Sequence, residues 1–362
     1  MKSNEANKLS FSNISLDSEE INKLIYGRAP IKEIIKIEEL IDLFSKHKII
    51  SMWGILPSAP LHFNIDKIII KQFDFIEIGF KHHILITDIL LKLEVLDFDN
   101  DYETKLRTKY YVYYLKHIIG LKKRTRYITS SSYRLNNKYY ETIFKVLNFI
   151  NTSKLKKSLP RNLRNLLEDF PVSKILHPLM QSIDPFFVSK DDSNIIFADM
   201  GQRKVYLLSR KISKYLNNKK PVLMFTTLPH DIKGNPLNKS KIETRLNIHD
   251  DPEILYKKIM KIETNPENPE KDPLIELYLY SILPYFKVIE LKTINNEIIS
   301  ISEENKKDLI SLYSKRYINV DDMKKRAYEY LLERLEKIKN FFDKHPKLIE
   351  WINLERFKNQ KI

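Results

Sequence analysis

The 362-residue chain contains no cysteine. That absence excludes disulfide frameworks, thiolate zinc sites, iron–sulfur clusters and a cysteine nucleophile. Glycine is scarce as well. The six glycines, Gly27, Gly54, Gly79, Gly120, Gly201 and Gly234, lie far apart, whereas a glycine-rich phosphate cradle needs several close together. A P-loop and the glycine fingerprint of dinucleotide-binding folds are thereby excluded. Long hydrophobic runs are missing too. The longest, such as residues 84–86 and 195–198, have the length of strands and not of membrane spans. Residues 1–20 mix Lys, Asn, Ser and Glu without the apolar core of a signal peptide. The expectation is a soluble, cytoplasmic chain with no membrane partner.

What is present is charge and apolar mass. Lys and Arg number 62 against 47 Asp and Glu, a net +15 at pH 7, which suits a polyanionic partner. With 43% hydrophobic residues, the chain has material for two domains with cores of their own.

Periodicity gives the organisation. Residues 1–20 read as a flexible N-terminus. Apolar residues at 34, 35, 37, 40, 41 and 44 predict an amphipathic helix over 31–44. Residues 49–53, 81–88, 127–129, 194–198 and 222–226 read as short strands, and 110–119 and 203–216 as helical. Strands alternating with helices predict an α/β domain with a parallel sheet at 21–250. Residues 262–273 are rich in Pro, Asn and Glu and read as a linker. From 273 onward the pattern is helical: Asp321 or Asp322 caps a helix with the stripe Ala327, Leu331, Leu335, Ile338 and Phe342. A helical domain is expected at 265–362.

Two stretches carry specific chemistry. Residues 51–65 read SMWGILPSAPLHFNI, a strand, a glycine, a Pro–Ser turn and then His62 at a helix start. Residues 175–212 place Pro178, Met180, Gln181 and Asp184 ahead of a strand and then Gln202, Arg203 and Lys204 at the start of a helix. In this combination the chain resembles tyrosyl-tRNA synthetases of the archaeal and eukaryotic type, class I enzymes with a Rossmann-like parallel-sheet domain followed by a helical anticodon-binding domain. Further matches are Asp88, residues 235–241 at the place of the family's Lys-Met-Ser-Lys-Ser loop, and residues 272–277 and 318–324. The resemblance spans about 30–342.

The resemblance assigns roles. His62 matches the first histidine of the ATP signature, while Asn64 and Ile65 replace its glycine and second histidine. In the mobile loop Lys239 and Ser240 match the end of the signature, and Pro236 and Leu237 stand for its first lysine and methionine. Ala198 and Asp199 replace a Gly-Gly step. The amino-acid pocket falls on Met52, His177, Gln181, Asp184 and Gln202, with Asp184 placed to bond a phenol hydroxyl and with Met52 and His177 standing where the family has tyrosines. On the tRNA side Arg203 and Lys204 match the acceptor-stem contacts, Lys154, Lys156 and Lys157 the basic cluster, and Asn319 and Asp322 the anticodon readers. No metal site is expected, since the neighbouring His82 and His83 point to opposite faces of a strand. Loss of several triphosphate contacts implies tRNA binding with lost or weak tyrosine activation. The alternatives are a working tyrosine–tRNA ligase using ATP and Mg²⁺, and a protein-interaction scaffold. The family's homodimer, joined through the insertion expected at about 105–160, is implied as well. A second basic run, Lys116, Lys122, Lys123, Arg124 and Arg126, reads either as a phosphate-tracking face or as an ordinary solvated face.

Overall fold

The computed structural model describes residues 19–44, 49–91, 101–151, 153, 155, 157, 172–189, 194–237 and 241–352. Eight strands are formed among them: β1 (Glu33–Ile35), β2 (Ile50–Ile55), β3 (Lys81–Ile86), β4 (Thr125–Thr129), β5 (Asn194–Asp199), β6 (Val222–Thr226), β7 (Val288–Lys292) and β8 (Ile298–Ser302). The first six make one sheet in the order β1-β6-β5-β2-β3-β4. All its pairings are parallel except β1 on β6. Every residue of β6 is buried, and so are the first five of β5. This is the uninterrupted apolar run that a sheet covered on both faces requires. The edge strand β4 is only half-buried and turns Arg126 outward, a charge that discourages further strand addition.

The strand order reverses between β2 and β5. In a doubly wound sheet this reversal opens a crevice at the carboxyl ends of the strands, where ligands bind. The fold is the Rossmann-like α/β architecture expected for 21–250, followed by a mainly helical C-terminal region.

Three expectations need correction. The helix predicted over 31–44 is divided: Lys36 adopts φ 67°, which ends β1 and lets a separate helix start at Ile37. The preceding residues gain β6 as a backbone partner instead of a helical turn. Second, residues 105–160 are not wholly an insertion, because 125–129 form β4 of the sheet. Third, the C-terminal region is not all helix. β7 and β8 form an antiparallel hairpin whose turn places Asn296 at φ 65°, a conformation asparagine tolerates.

The stretch 262–273 is anchored at its end. Asp272 is fully buried, caps the helix Pro273–Leu277 by accepting from the Leu274 and Ile275 amides, and also accepts from Tyr313 Oη and the Asn265 amide.

Candidate functional site

A cavity of about 160 Å³ lies at the strand-order reversal. Three of its wall residues come from the helix Val172–Val188, where His177, Gln181 and Asp184 stand at i, i+4 and i+7 and so share a face. Gln202 joins from the turn after β5, and His62 from the loop after β2. Five of the positions singled out from sequence thus meet at one cavity. Met52, expected with them, is a correction. It packs in an apolar layer with Leu85, Ile196 and Tyr206 and is not among the lining residues, because its strand position turns the thioether into the sheet's core.

The polar groups of this cavity are largely paired to one another. Gln181 Nε2 donates to Gln202 Oε1 at 2.9 Å. Asp184 is 1% exposed and its carboxylate is taken by Arg134, equally buried, through a bidentate pair: Nε donates to Oδ1 at 3.0 Å and Nη2 to Oδ2. Tyr139 Oη adds a third bond to Oδ1 at 3.1 Å. Burial and the neighbouring Asp184 charge push the Tyr139 phenol well above its ordinary pKa. The sequence reading missed Arg134, because nothing in the run Ser-Ser-Ser-Tyr-Arg announces a partner 50 residues downstream. The serines lead into the short helix Ser131–Arg134: Ser130 Oγ donates to Asp88 Oδ1 at 2.7 Å, and so does the Ser131 amide at 2.9 Å.

Residues beside the lining in sequence are similarly knit. Asn64 Nδ2 donates to the His230 carbonyl at 2.9 Å and its Oδ1 accepts from the Leu246 amide at 3.0 Å, tying the His62 loop to two distant segments. Asp199 accepts from the Gly201 amide at 2.7 Å. Lys67 is buried and donates to Glu276 Oε1 at 2.5 Å and Thr227 Oγ1 at 2.7 Å. Burial alone would raise the Glu276 carboxyl; the hydrogen bond from His230 and the Lys67 charge outweigh it and hold the group below the ordinary carboxylate range. Among the lining residues Arg245 alone carries a fixed positive charge, against Asp184 and Asp199. Lys239 and Ser240 lie outside the described residues.

The family model for class I tRNA synthetases (W and Y) matches residues 45–336. The chain belongs to the tyrosyl-tRNA synthetase family of class I. It is 24% identical over 314 residues to the tyrosine–tRNA ligase of Methanosarcina barkeri, covering 85% of this chain and 96% of that protein. It superposes on the tyrosyl-tRNA synthetase of Archaeoglobus fulgidus, solved with L-tyrosine, with a TM-score of 0.77, 23% identity and coverage of 91% and 99% of the two chains. The tryptophanyl-tRNA synthetase of Aeropyrum pernix gives a TM-score of 0.68 at 15% identity, covering 88% of this chain and 84% of that one.

For a member of the tyrosyl-tRNA synthetase family, the positions matched to tRNA contacts are differently placed. Arg203 is half-exposed and its guanidinium is held by both oxygens of Glu33, at 2.7 Å for Nη2. Lys204 and Lys157 are exposed. Lys154 and Lys156 lie outside the described residues. Asn319 caps the helix Val320–Asp343 by accepting from the Asp322 amide at 3.1 Å, and Asp322 Oδ2 accepts from the Lys292 amide at 3.1 Å. Both residues thus serve as a joint between β7 and this helix. Lys116, Lys122, Lys123, Arg124 and Arg126 are all exposed around the start of β4. No helix among the described residues is long and apolar enough to cross a membrane, and none of their His, Asp and Glu residues group as a metal site.

Proposed function

We propose that this member of the tyrosyl-tRNA synthetase family binds tRNA and activates tyrosine weakly or not at all. The Arg134–Asp184 pair carries the reading. A carboxylate positioned to accept from a substrate phenol gains selectivity from being left unpaired, and here its two oxygens already take three internal donors. Adenylate formation rests on positioned cations and amides, and Arg245 is the one fixed cation among the described lining residues. The exposed basic run at β4 and the net charge of +15 favour an RNA partner. Cytoplasmic residence fits that partner.

The test is tyrosine-dependent pyrophosphate exchange alongside filter binding across tRNA species. The expected result is exchange at background and salt-sensitive tRNA binding. Exchange well above background would establish the rival reading, a working ligase, which the surviving cavity with Gln181, Gln202 and Asp184 favours.

Self-association is part of the proposal. Tyr140, Phe144 and Leu147 lie at i, i+4 and i+7 of the helix Asn137–Leu147 and are exposed, with Leu135 and Phe149 beside them in sequence. An apolar stripe of this kind marks an interface. Light scattering is expected to give a dimer that Phe144→Asp converts to monomer.

A further inference from the structure

A second and larger cavity lies elsewhere in the molecule. Its volume is about 470 Å³, within the 300–1,000 Å³ or so of ligand sites, whereas the cavity at the sheet falls short of it. One wall is a single face of the helix Asp66–Glu77, with Asp66, Ile70, Phe73 and Glu77 at i, i+4, i+7 and i+11. The facing wall is Arg334, Lys337, Ile338 and Phe341 of the helix Val320–Asp343. Tyr280 and Tyr285 line the space between them, and residues 117–119 close another side.

Three chemical features converge there. The walls are aromatic, and cations already sit over their rings: Lys337 Nζ is 5.0 Å from the Tyr285 centroid and Arg28 is 5.6 Å from that of Phe73. A buried acceptor is unmet. Arg334 spans the walls by donating to Asp66 Oδ2 and the Ser281 carbonyl, both at 2.7 Å. Asp66 Oδ1, on a residue 1% exposed, takes no hydrogen bond while the Ser281 hydroxyl, which is within reach of the carboxylate, donates to the Phe63 carbonyl. The lining also includes exposed ammonium groups. Lys287 and Lys337 have side chains 65% and 56% exposed; their ion pairs are to the surface residues Glu303 and Glu333, contacts easily exchanged for an anion, and Lys337 also lies against Tyr285. His117 is near enough to Lys116 and Lys122 that burial and their charges lower its pKa, which links the cleft to the basic run at β4.

We infer that this cleft binds one unpaired nucleotide, with the base between the aromatic walls, its amino edge on Asp66 and its phosphate on Lys287 and Lys337. Aromatic faces accept any base, a carboxylate oxygen asks for an N–H donor, and two exposed ammonium groups ask for a phosphate. A lipid headgroup lacks the planar ring, and a phosphorylated phenol lacks the donor edge. The inference is independent of the tyrosine-activation reading, since it places the nucleotide away from the sheet.

The test titrates the full-length protein with AMP, adenosine, inorganic phosphate and a short labelled single-stranded RNA. Wild type is compared with the double variant Lys287→Gln/Lys337→Gln, with Phe73→Leu, and with Gln202→Leu in the other cavity. AMP is expected to bind more tightly than adenosine or phosphate. The lysine variant is expected to weaken binding by roughly tenfold, while Gln202→Leu leaves it unchanged. Competition between AMP and the RNA assigns the site to a nucleotide of RNA; binding of AMP without RNA assigns it to the free nucleotide. Photo-crosslinking with azido-AMP is expected to label residues 280–287 or 334–341. Binding of neither ligand, loss of binding in Gln202→Leu alone, or labelling confined to the sheet cavity overturns the inference.

Discussion

The two cavities use charge in opposite ways. At the sheet, Asp184 and Gln181 are each bonded to another part of the protein. In the cleft, Arg334 and Asp66 form a buried pair, but Lys287 and Lys337 at the rim ion-pair only with surface glutamates and Asp66 keeps one oxygen unmet. Groups committed to internal partners hold the fold together, whereas groups left at a rim remain available to a ligand. The cavity at the sheet is also the smaller of the two, about 160 Å³ against about 470 Å³.

That contrast can be broken most directly at Asp184. Asp184→Ala leaves Arg134 buried without a counter-ion, and about 3–5 kcal/mol of stability should be lost in urea unfolding. The double substitution Arg134→Met/Asp184→Leu should cost far less, since an apolar pair removes both the charges and their desolvation. Equal losses for the single and the double variant would mean that the pair contributes nothing specific.

A smaller effect should come from His82, in the sheet beneath the same cavity. It is fully buried, stacks on Phe75 with ring centroids 5.7 Å apart, and shares a 2.9 Å hydrogen bond with Ser51 Oγ. Burial, with a lesser push from His83, takes its pKa down to about 3. The unfolded chain protonates this residue near 6.5 while the folded one does not, so stability falls as pH drops below that value. Between pH 6.5 and 4.5 this group alone should remove about 2 kcal/mol. His82→Gln should flatten the stability–pH curve by nearly one proton over that window, and an unchanged slope would count against the buried neutral imidazole.

The smallest effect sharpens the contrast from the other side. Lys287→Gln/Lys337→Gln should change stability by no more than about 0.5 kcal/mol, as exposed surface pairs do. A loss of several kcal/mol would place these lysines among the fold's supports.

Much of the sheet was legible because its central strands are buried on both faces and appear as unbroken apolar runs, as in NIIFA and VLMFT. The shared face of His177, Gln181 and Asp184 follows from helical spacing. β1 was hidden because its three residues lie inside an apolar pattern that fits a helix equally well, and only the left-handed Lys36 separates the two. The hairpin had a period-two signal, with Ile289 and Leu291 inward and Val288 and Glu290 outward, but it sits among long helical stripes. Arg134 could not be read at all. Its meaning depends on a carboxylate brought to it by tertiary folding, and a basic residue after serines looks locally like surface.

The Lys67–Glu276 bond joins residues 209 positions apart, on either side of the Pro- and Asn-rich stretch that looks like a tether. A recombination joint or truncation placed in that stretch would strand an ammonium group in a nearly waterless setting. The chain cannot be pruned there into a lesser, self-sufficient half, and any exchange of its C-terminal part has to bring a matching acid along.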